Sequence, residues 1–278
     1  MTVRRAAPLL LVAALAAGCS TDEPGPDRPS ASASPSVAPS PSAPSGRLLA
    51  GRVVVLDPGH QLGNRHHGAE IAEPVDAGGF EKECNTTGTA TDDGFPESTF
   101  TWRVAQEARR VLERLGARVV LTRDADSDER WGPCIDERGR IGNPDQPGPT
   151  ADLRISIHAD GVLEGGASGF HVIRPERLAG WTDDIAKASR RLAVAVRDAL
   201  VDERFRPSSY RGVRGIDVRG DLGTLNLSDV PAVMVELGNM RDADEAAVME
   251  SRAGQRRYGR ALAVAARDFL SAPGRRGR

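Results

Sequence analysis

Five histidines occur in the 278 residues, and two of them close short apolar runs: His60 ends VVVLDPGH and His158 ends LRISIH. Continuous β-branched runs of this length read as buried strands, so both imidazoles stand at strand ends. If those strands lie side by side, His60 and His158 face one cleft. Glu97, just before a helix-periodic stretch, offers a carboxylate to the same place. Two neutral imidazoles and one carboxylate suit Zn2+, one ion per chain, with the fourth tetrahedral position left for water. Such an ion acidifies water and polarises a carbonyl. Glu236 ends another apolar run, AVMVE. As an unligated carboxylate it would take the water proton and return it to a leaving amine.

Each residue also has a plainer reading. His60 could cap its own loop, and His158 could be a hydrogen-bonded core histidine. Glu97 could be a favourable charge at a helix N-terminus, and Glu236 a surface ion-pair partner. Placement of all four at strand ends or a helix start favours the joint chemical reading. His66 and His67 read as solvated loop residues, and His171, inside a strand pattern, as structural. No Gly-x-Ser-x-Gly elbow is present, which leaves a serine hydrolase little support.

The elements that must position these groups follow from periodicity. Strands are expected over 52–56, 118–121, 153–157, 168–173 and 232–236, with the fourth beside the third. Helical spacing covers 98–115, 136–141, 181–200, 242–249 and 253–270, and Gly116 is a plausible stop. The alternation predicts an α/β fold: a single domain whose mostly parallel twisted sheet is covered by helices on both faces. Such folds place their sites at the C-terminal ends of strands.

Composition narrows the function classes. Lys and Arg number 37 against 39 Asp and Glu, a net charge of −2, which argues against a nucleic-acid binder. No run approaches the ~20 apolar residues of a spanning helix. Aromatic residues are 4% of the chain, too few for an aromatic sugar or base platform to dominate. Residues 1–18 read as a signal peptide, with a basic leader and an apolar run of about a dozen residues. That run ends in Leu15-Ala16-Ala17-Gly18-Cys19, which resembles a bacterial lipobox with Cys19 as the lipidated residue. An ordinary secretory signal cut nearby is the alternative. Residues 19–46, rich in Ser, Pro and Ala, read as a disordered tether; its extended reach is about 80 Å. Residues 47–272 form the expected catalytic domain and 273–278 a disordered tail.

Four segments, VVVLDPGHQLGN, ESTFTWRVAQEARRVLERLGARVVLTRD, ADLRISIHAD and DVPAVMVELGNMRD, occur in that order. They resemble the signature blocks of the zinc-dependent N-acetylmuramoyl-L-alanine amidases, from about residue 51 to residue 270. The resemblance implies metal ligands at His60, Glu97 and His158 and a catalytic Glu236. It implies cleavage of the amide between the lactyl group of N-acetylmuramic acid and L-alanine of the stem peptide. Arg138 and Asn143 match the family's Arg-x4-Asn stretch and read as mainly structural. The Gly- and Thr-rich insertion at 64–96 is longer than in many members and resembles the secreted actinobacterial type without a wall-binding module. Leu237-Gly238-Asn239 stands where many relatives carry Gly-Phe. Residues 214–227 occupy the family's substrate-facing loop, and Arg219 there is a candidate contact for a stem-peptide carboxylate; an arginine in solvent is the plainer reading.

The expected partners are peptidoglycan and, through the lipid anchor, the membrane. Nucleic acid is not expected, and the chain reads as a monomer at the outer face of the cytoplasmic membrane, or secreted. A non-catalytic muropeptide-binding lipoprotein and a zinc peptidase acting on another wall bond are the competing readings. If Cys19 is lipidated, Cys84 and Cys134 remain, and export favours their pairing. The bond would close a loop of about 50 residues, nominally about 4 kcal/mol in the chain-entropy model. Two free thiols are the alternative; zinc ligation by them lacks any Cys-x-x-Cys spacing.

Overall fold

Side chains alternate across a strand, and that alternation divides the molecule. In β1 (Val53–Pro58), Val54 and Leu56 enter the large core while Val55 and Asp57 face the other side of the sheet. A computed structural model describes residues 47–272. The expected signal peptide, the Cys19 lipidation site, the tether and the 273–278 tail lie outside the described residues.

After β1, the insertion folds into a 3-10 turn, α1 (Gly68–Ala72) and a hairpin of β2 (Pro74–Asp76) and β3 (Glu81–Glu83). Then come α2 (Glu97–Arg114), β4 (Arg118–Leu121), α3 (Ile135–Arg140), β5 (Leu153–Asp160) and β6 (His171–Pro175). The chain continues through α4 (Ala186–Asp202), β7 (Ile216–Arg219), α5 (Gly223–Asn226), β8 (Ala232–Asn239), α6 (Ala243–Glu250) and α7 (Arg252–Ser271). The main sheet has the order β4-β1-β5-β8-β6-β7. All its pairings are parallel except β6 with β8.

The mostly parallel sheet with helices on both faces agrees with the sequence reading. One adjacency does not: the strand near 168–173 pairs with β8 and β7, not with β5. Sequential strands often neighbour one another, but β8 is buried on both faces along almost its whole length and takes the central place beside β5. The helix expected from residue 181 begins at Ala186, because residues 181–185 form a turn in which the Thr182 hydroxyl bonds the Glu176 carbonyl. β7 and the β2–β3 hairpin were not expected at all.

One sheet face packs Leu56, Ile155, Ile157, Val233 and Val235 against α2, α7 and α4. Each fully buried aliphatic side chain of this size contributes roughly 1.5–3 kcal/mol. α2 supplies Phe100, Val104, Ala108 and Leu112 at helical spacing. It stops at Gly116, whose φ of 97° suits the left-handed residue that ends a helix. The Ser251 side chain accepts from the Gly254 amide and caps α7. The other face has a thin apolar cover, with Leu225 of α5 against Ile173, Ala232 and Met234. Val55 with Ala151 and Val230 forms a second small apolar cluster on this face, and the polar side chains beside it build the site.

Candidate metal and catalytic site

Parallel pairing sets Asp57 beside Ser156 and Pro58 beside Ile157, so the chain leaving β1 passes along the end of β5. His60 then takes a left-handed backbone, φ 58°, which is unfavourable for any residue but glycine. Its Nε2 lies 3.1 Å from Glu97 Oε1, while Nδ1 lies 3.1 Å from the Thr86 carbonyl oxygen. A proton on Nδ1, donated to that carbonyl, leaves the Nε2 lone pair facing Glu97. His158 projects from β5 with Nδ1 3.0 Å from the same Glu97 oxygen. The two imidazole rings meet edge to face, 4.8 Å between centroids. Glu97 Oε1 also accepts from the Ala159 amide at 3.1 Å, and Oε2 accepts from the Thr89 amide at 3.0 Å. One ligand atom from each of His60, Glu97 and His158 lies within 4.8 Å of the others.

Two glycines give this cluster its room. A Cβ on Gly59 would sit 2.4 Å from His158 Cε1, and one on Gly88 would sit 2.8 Å from His60 Cδ2 and 2.9 Å from Glu97 Oε2. The donor set therefore fits a metal: buried nitrogen and oxygen ligands, each oriented by a backbone partner or a neighbouring ligand.

Burial pushes the Glu97 pKa up, but His60 and His158 outweigh it and hold the carboxyl well below its usual range. Burial also depresses the His158 imidazolium, leaving a neutral ring. Glu236 stands beside His158 in the β5–β8 register. It is half-buried, and among the described residues no hydrogen bond reaches its carboxylate. Burial, with repulsion from Asp160 and Glu97, raises its pKa well above the usual range, and Arg219 opposes this. A carboxyl with raised proton affinity beside such a group of donors is equipped to accept and return a proton.

A buried ion pair underlies the cluster. Asp57 accepts from Arg138 Nε at 2.7 Å and Nη2 at 3.0 Å, and from Thr122 and Ser156 hydroxyls at 2.6 Å each. Arg138 Nη2 also lies 3.5 Å from His158 Nε2. The guanidinium of Arg154 bonds the carbonyls of Arg138, Gly139 and Ile141, which fixes the end of α3. Asn143 bonds the Leu227 carbonyl and the Asp229 amide, a structural part as expected. Arg138 is structural too, yet it reaches the cluster itself.

The cleft in front encloses about 590 Å³ and is lined by His60, Glu97, His158, Glu236, Lys82 and Arg219, among others. Arg219 faces the cleft, but its Nε and Nη2 are committed to Asp221 at 2.8 and 2.7 Å. Cys84 and Cys134 form a disulfide that joins the end of β3 to the start of α3. His66 pairs with Asp128 and His67 with Glu70, both away from the cluster. His171 is buried in β6, with Nδ1 3.6 Å from Asp160 Oδ2.

Sequence reasoning missed Thr86 and Thr89: Thr89 works through its backbone amide, and Thr86 meets His60 Nδ1 with its carbonyl at 3.1 Å and its hydroxyl at 3.2 Å. It also passed over Asp160, although this residue stands two positions beyond His158. Asp160 lines the cleft and accepts from the Tyr210 hydroxyl at 2.8 Å.

Comparison with known proteins bears on this arrangement. Residues 54–268 match the N-acetylmuramoyl-L-alanine amidase family. The chain is 37% identical over 227 residues to the N-acetylmuramoyl-L-alanine amidase Rv3717 of Mycobacterium tuberculosis, covering 81% of this chain and 89% of that protein. Among solved structures, the N-acetylmuramyl-L-alanine amidase Ami1 of Mycobacterium abscessus is 40% identical. It superposes with a TM-score of 0.72 over 80% of this chain and 100% of that one. Ami1 of Mycobacterium smegmatis is 37% identical, with a TM-score of 0.72 over 80% of this chain and 98% of that one.

Proposed function

We propose, from the premise that the chain belongs to the N-acetylmuramoyl-L-alanine amidase family, that its cleft holds one zinc ion on His60, Glu97 and His158. The chain is a peptidoglycan amidase. Our reading concerns how this chain performs that hydrolysis and where. The convergence of two neutral imidazoles and one carboxylate beside an unligated glutamate carries it.

When bound, zinc supplies Lewis acidity toward the scissile carbonyl and acidifies water. Glu236 takes a proton from the attacking water and delivers it to the nitrogen of the departing L-alanine, so the amine leaves neutral. Burial and the nearby Asp160 and Glu97 carboxylates raise its proton affinity, which favours its taking up a proton. Thr86 orients His60 through its carbonyl, and the Thr89 and Ala159 amides hold the Glu97 carboxylate. Arg219, whose Nη1 is left over from the Asp221 pair, is the proposed contact for a stem-peptide carboxylate. Cys19 is the proposed lipid attachment point, with residues 20–46 as tether, placing the enzyme outside the cytoplasmic membrane.

The deciding experiment digests a defined muropeptide with zinc-loaded protein and weighs the products. Glycan lacking its peptide, with an intact stem peptide bearing a new L-alanine amine, is the expected pair. Cleavage within the peptide would assign the site to another wall bond. Binding without products would reduce the chain to a muropeptide-binding protein.

A further inference from the structure

Cations are concentrated in three helices in a way the near-neutral total conceals. α7 packs between α2 and α4 over the sheet face opposite the cleft. Apart from the buried Glu97, α2 carries four arginines against Glu107 and Glu113. α4 carries Lys187 and three arginines against Asp198 and Asp202. α7 carries five arginines against Asp268. Thirteen cations thus meet five anions in these three helices, on a chain whose whole charge is −2; the short α6 beside α7 adds Asp244, Glu245 and Glu250 at one edge.

None of the thirteen is buried. Glu203, just beyond α4, pairs with Arg260 and lies near Arg257. Lys187, Arg190, Arg252 and Arg256 are exposed and make no ion pair among the described residues. At the edge of the layer, α4 and β7 border a groove of about 580 Å³, where Arg174, Arg190, Arg197 and Arg214 face a single acid, Asp217.

We propose that this three-helix layer docks on an anionic phospholipid surface and leaves the cleft turned outward. The cations spread over helices up to 20 residues long, about 30 Å, laid side by side. That is an area, suited to a sheet of headgroups, where a threaded polymer would need a line. Guanidinium groups pair with phosphate oxygens through two parallel hydrogen bonds. Val201 is the one large apolar side chain exposed in these helices, so the contact is electrostatic and does not insert. The docking is independent of a lipid on Cys19 and of the amidase chemistry.

The test uses the full-length chain as Cys19→Ala, so that no acyl chain contributes. It is sedimented with vesicles of phosphatidylglycerol in phosphatidylcholine, and with vesicles of phosphatidylcholine alone. Binding to the anionic vesicles only is expected, falling at least about tenfold in Lys187→Glu/Arg190→Glu/Arg256→Glu. The pair Arg65→Glu/Arg130→Glu, outside the helical layer, should bind as the parent does. Residues 1–46 are common to all these proteins, so their contribution cancels between the parent and its variants. Unchanged hydrolysis of a soluble muropeptide reports that the triple variant is folded. Binding by the parent should also collapse as added salt shortens the Debye length below about 8 Å. Equal sedimentation of a folded triple variant would overturn the proposal, as would salt-insensitive binding or equal binding to phosphatidylcholine. Failure to bind the anionic vesicles while binding a soluble phosphodiester polymer would assign the layer to a wall polyanion and overturn it too.

Discussion

Glu97 remains ionised in a buried position because two imidazoles and two backbone amides surround its oxygens. Removing either histidine removes a proposed metal ligand and also part of that support. His60→Ala and His158→Ala should each lose bound zinc, read as metal content after dialysis, while Glu236→Gln should keep its zinc. The Glu236→Gln protein should lose about 10²–10⁴-fold in turnover, since a proton-transfer group of this kind contributes that much. Normal turnover by it would remove Glu236 from the proposed role. Asp57 makes a different prediction. Burial raises its pKa, but Arg138, Arg154 and the Ser156 hydroxyl outweigh that and hold it far below its ordinary 3.8. A depressed carboxylate adds stability above the unfolded-state pKa and loses it as pH falls through the folded-state value. Asp57→Asn breaks a buried pair and should cost about 3–5 kcal/mol at neutral pH. In urea melts that difference should shrink as pH drops below about 4.

The insertion between His60 and Glu97 acts as an element of the site. Thr86 and Thr89 deliver backbone groups to His60 and Glu97, and Lys82 of β3 reaches the Asp221 carbonyl across the cleft at 3.0 Å. The Cys84–Cys134 bond ties this segment to α3, which carries Arg138. Cys84→Ser/Cys134→Ser should lower stability by up to about 4 kcal/mol, the chain-entropy value for a loop of this length. Thermal melts with and without reductant would check it, and a parent protein indifferent to reductant would contradict it. The β1–α2 connection also depends on a missing side chain. In Gly59→Ala the new Cβ would meet the His158 ring at 2.4 Å, so the ring must shift. Zinc affinity should fall by about tenfold or more, measured by competition with a chelating dye. Strands β1, β4, β5 and β8 and helices α2 and α7 were legible because apolar periodicity over their lengths is unambiguous. The hairpin Pro74–Asp76 with Glu81–Glu83 was not, since its residues are largely polar and it is held by docking beside the cleft. β7 was missed for a similar reason: four residues at a sheet edge carry too little pattern.

At the scale of the whole molecule, one sheet separates two environments. One face carries α2, α4 and α7 and most of the core; the other, under α3 and α5, carries Asp57, Ser156, His158 and Glu236. Zinc bound between β1, β5 and α2 would stabilise the folded state over the unfolded one. A strong chelator should therefore lower the melting temperature and abolish hydrolysis, and added zinc should restore both. An unchanged melting temperature with lost activity would argue that the metal is not held by these three elements together.

The residue types proposed to perform the chemistry were readable in the chain, because strand ends and helix starts are marked by local periodicity. His60, Glu97, His158 and Glu236 were each named from that placement, and their functional roles remain for the variants above to test. Their convergence was decided only by the tertiary structure. It depends on β1 pairing with β5 and on β8 displacing β6 from the neighbouring position, and strand order is set by contacts between distant segments. The same holds for charge. A sum over 278 residues gives −2 whatever the fold, while the arginine-rich side of the sheet exists only once α2, α7 and α4 turn their apolar faces inward together.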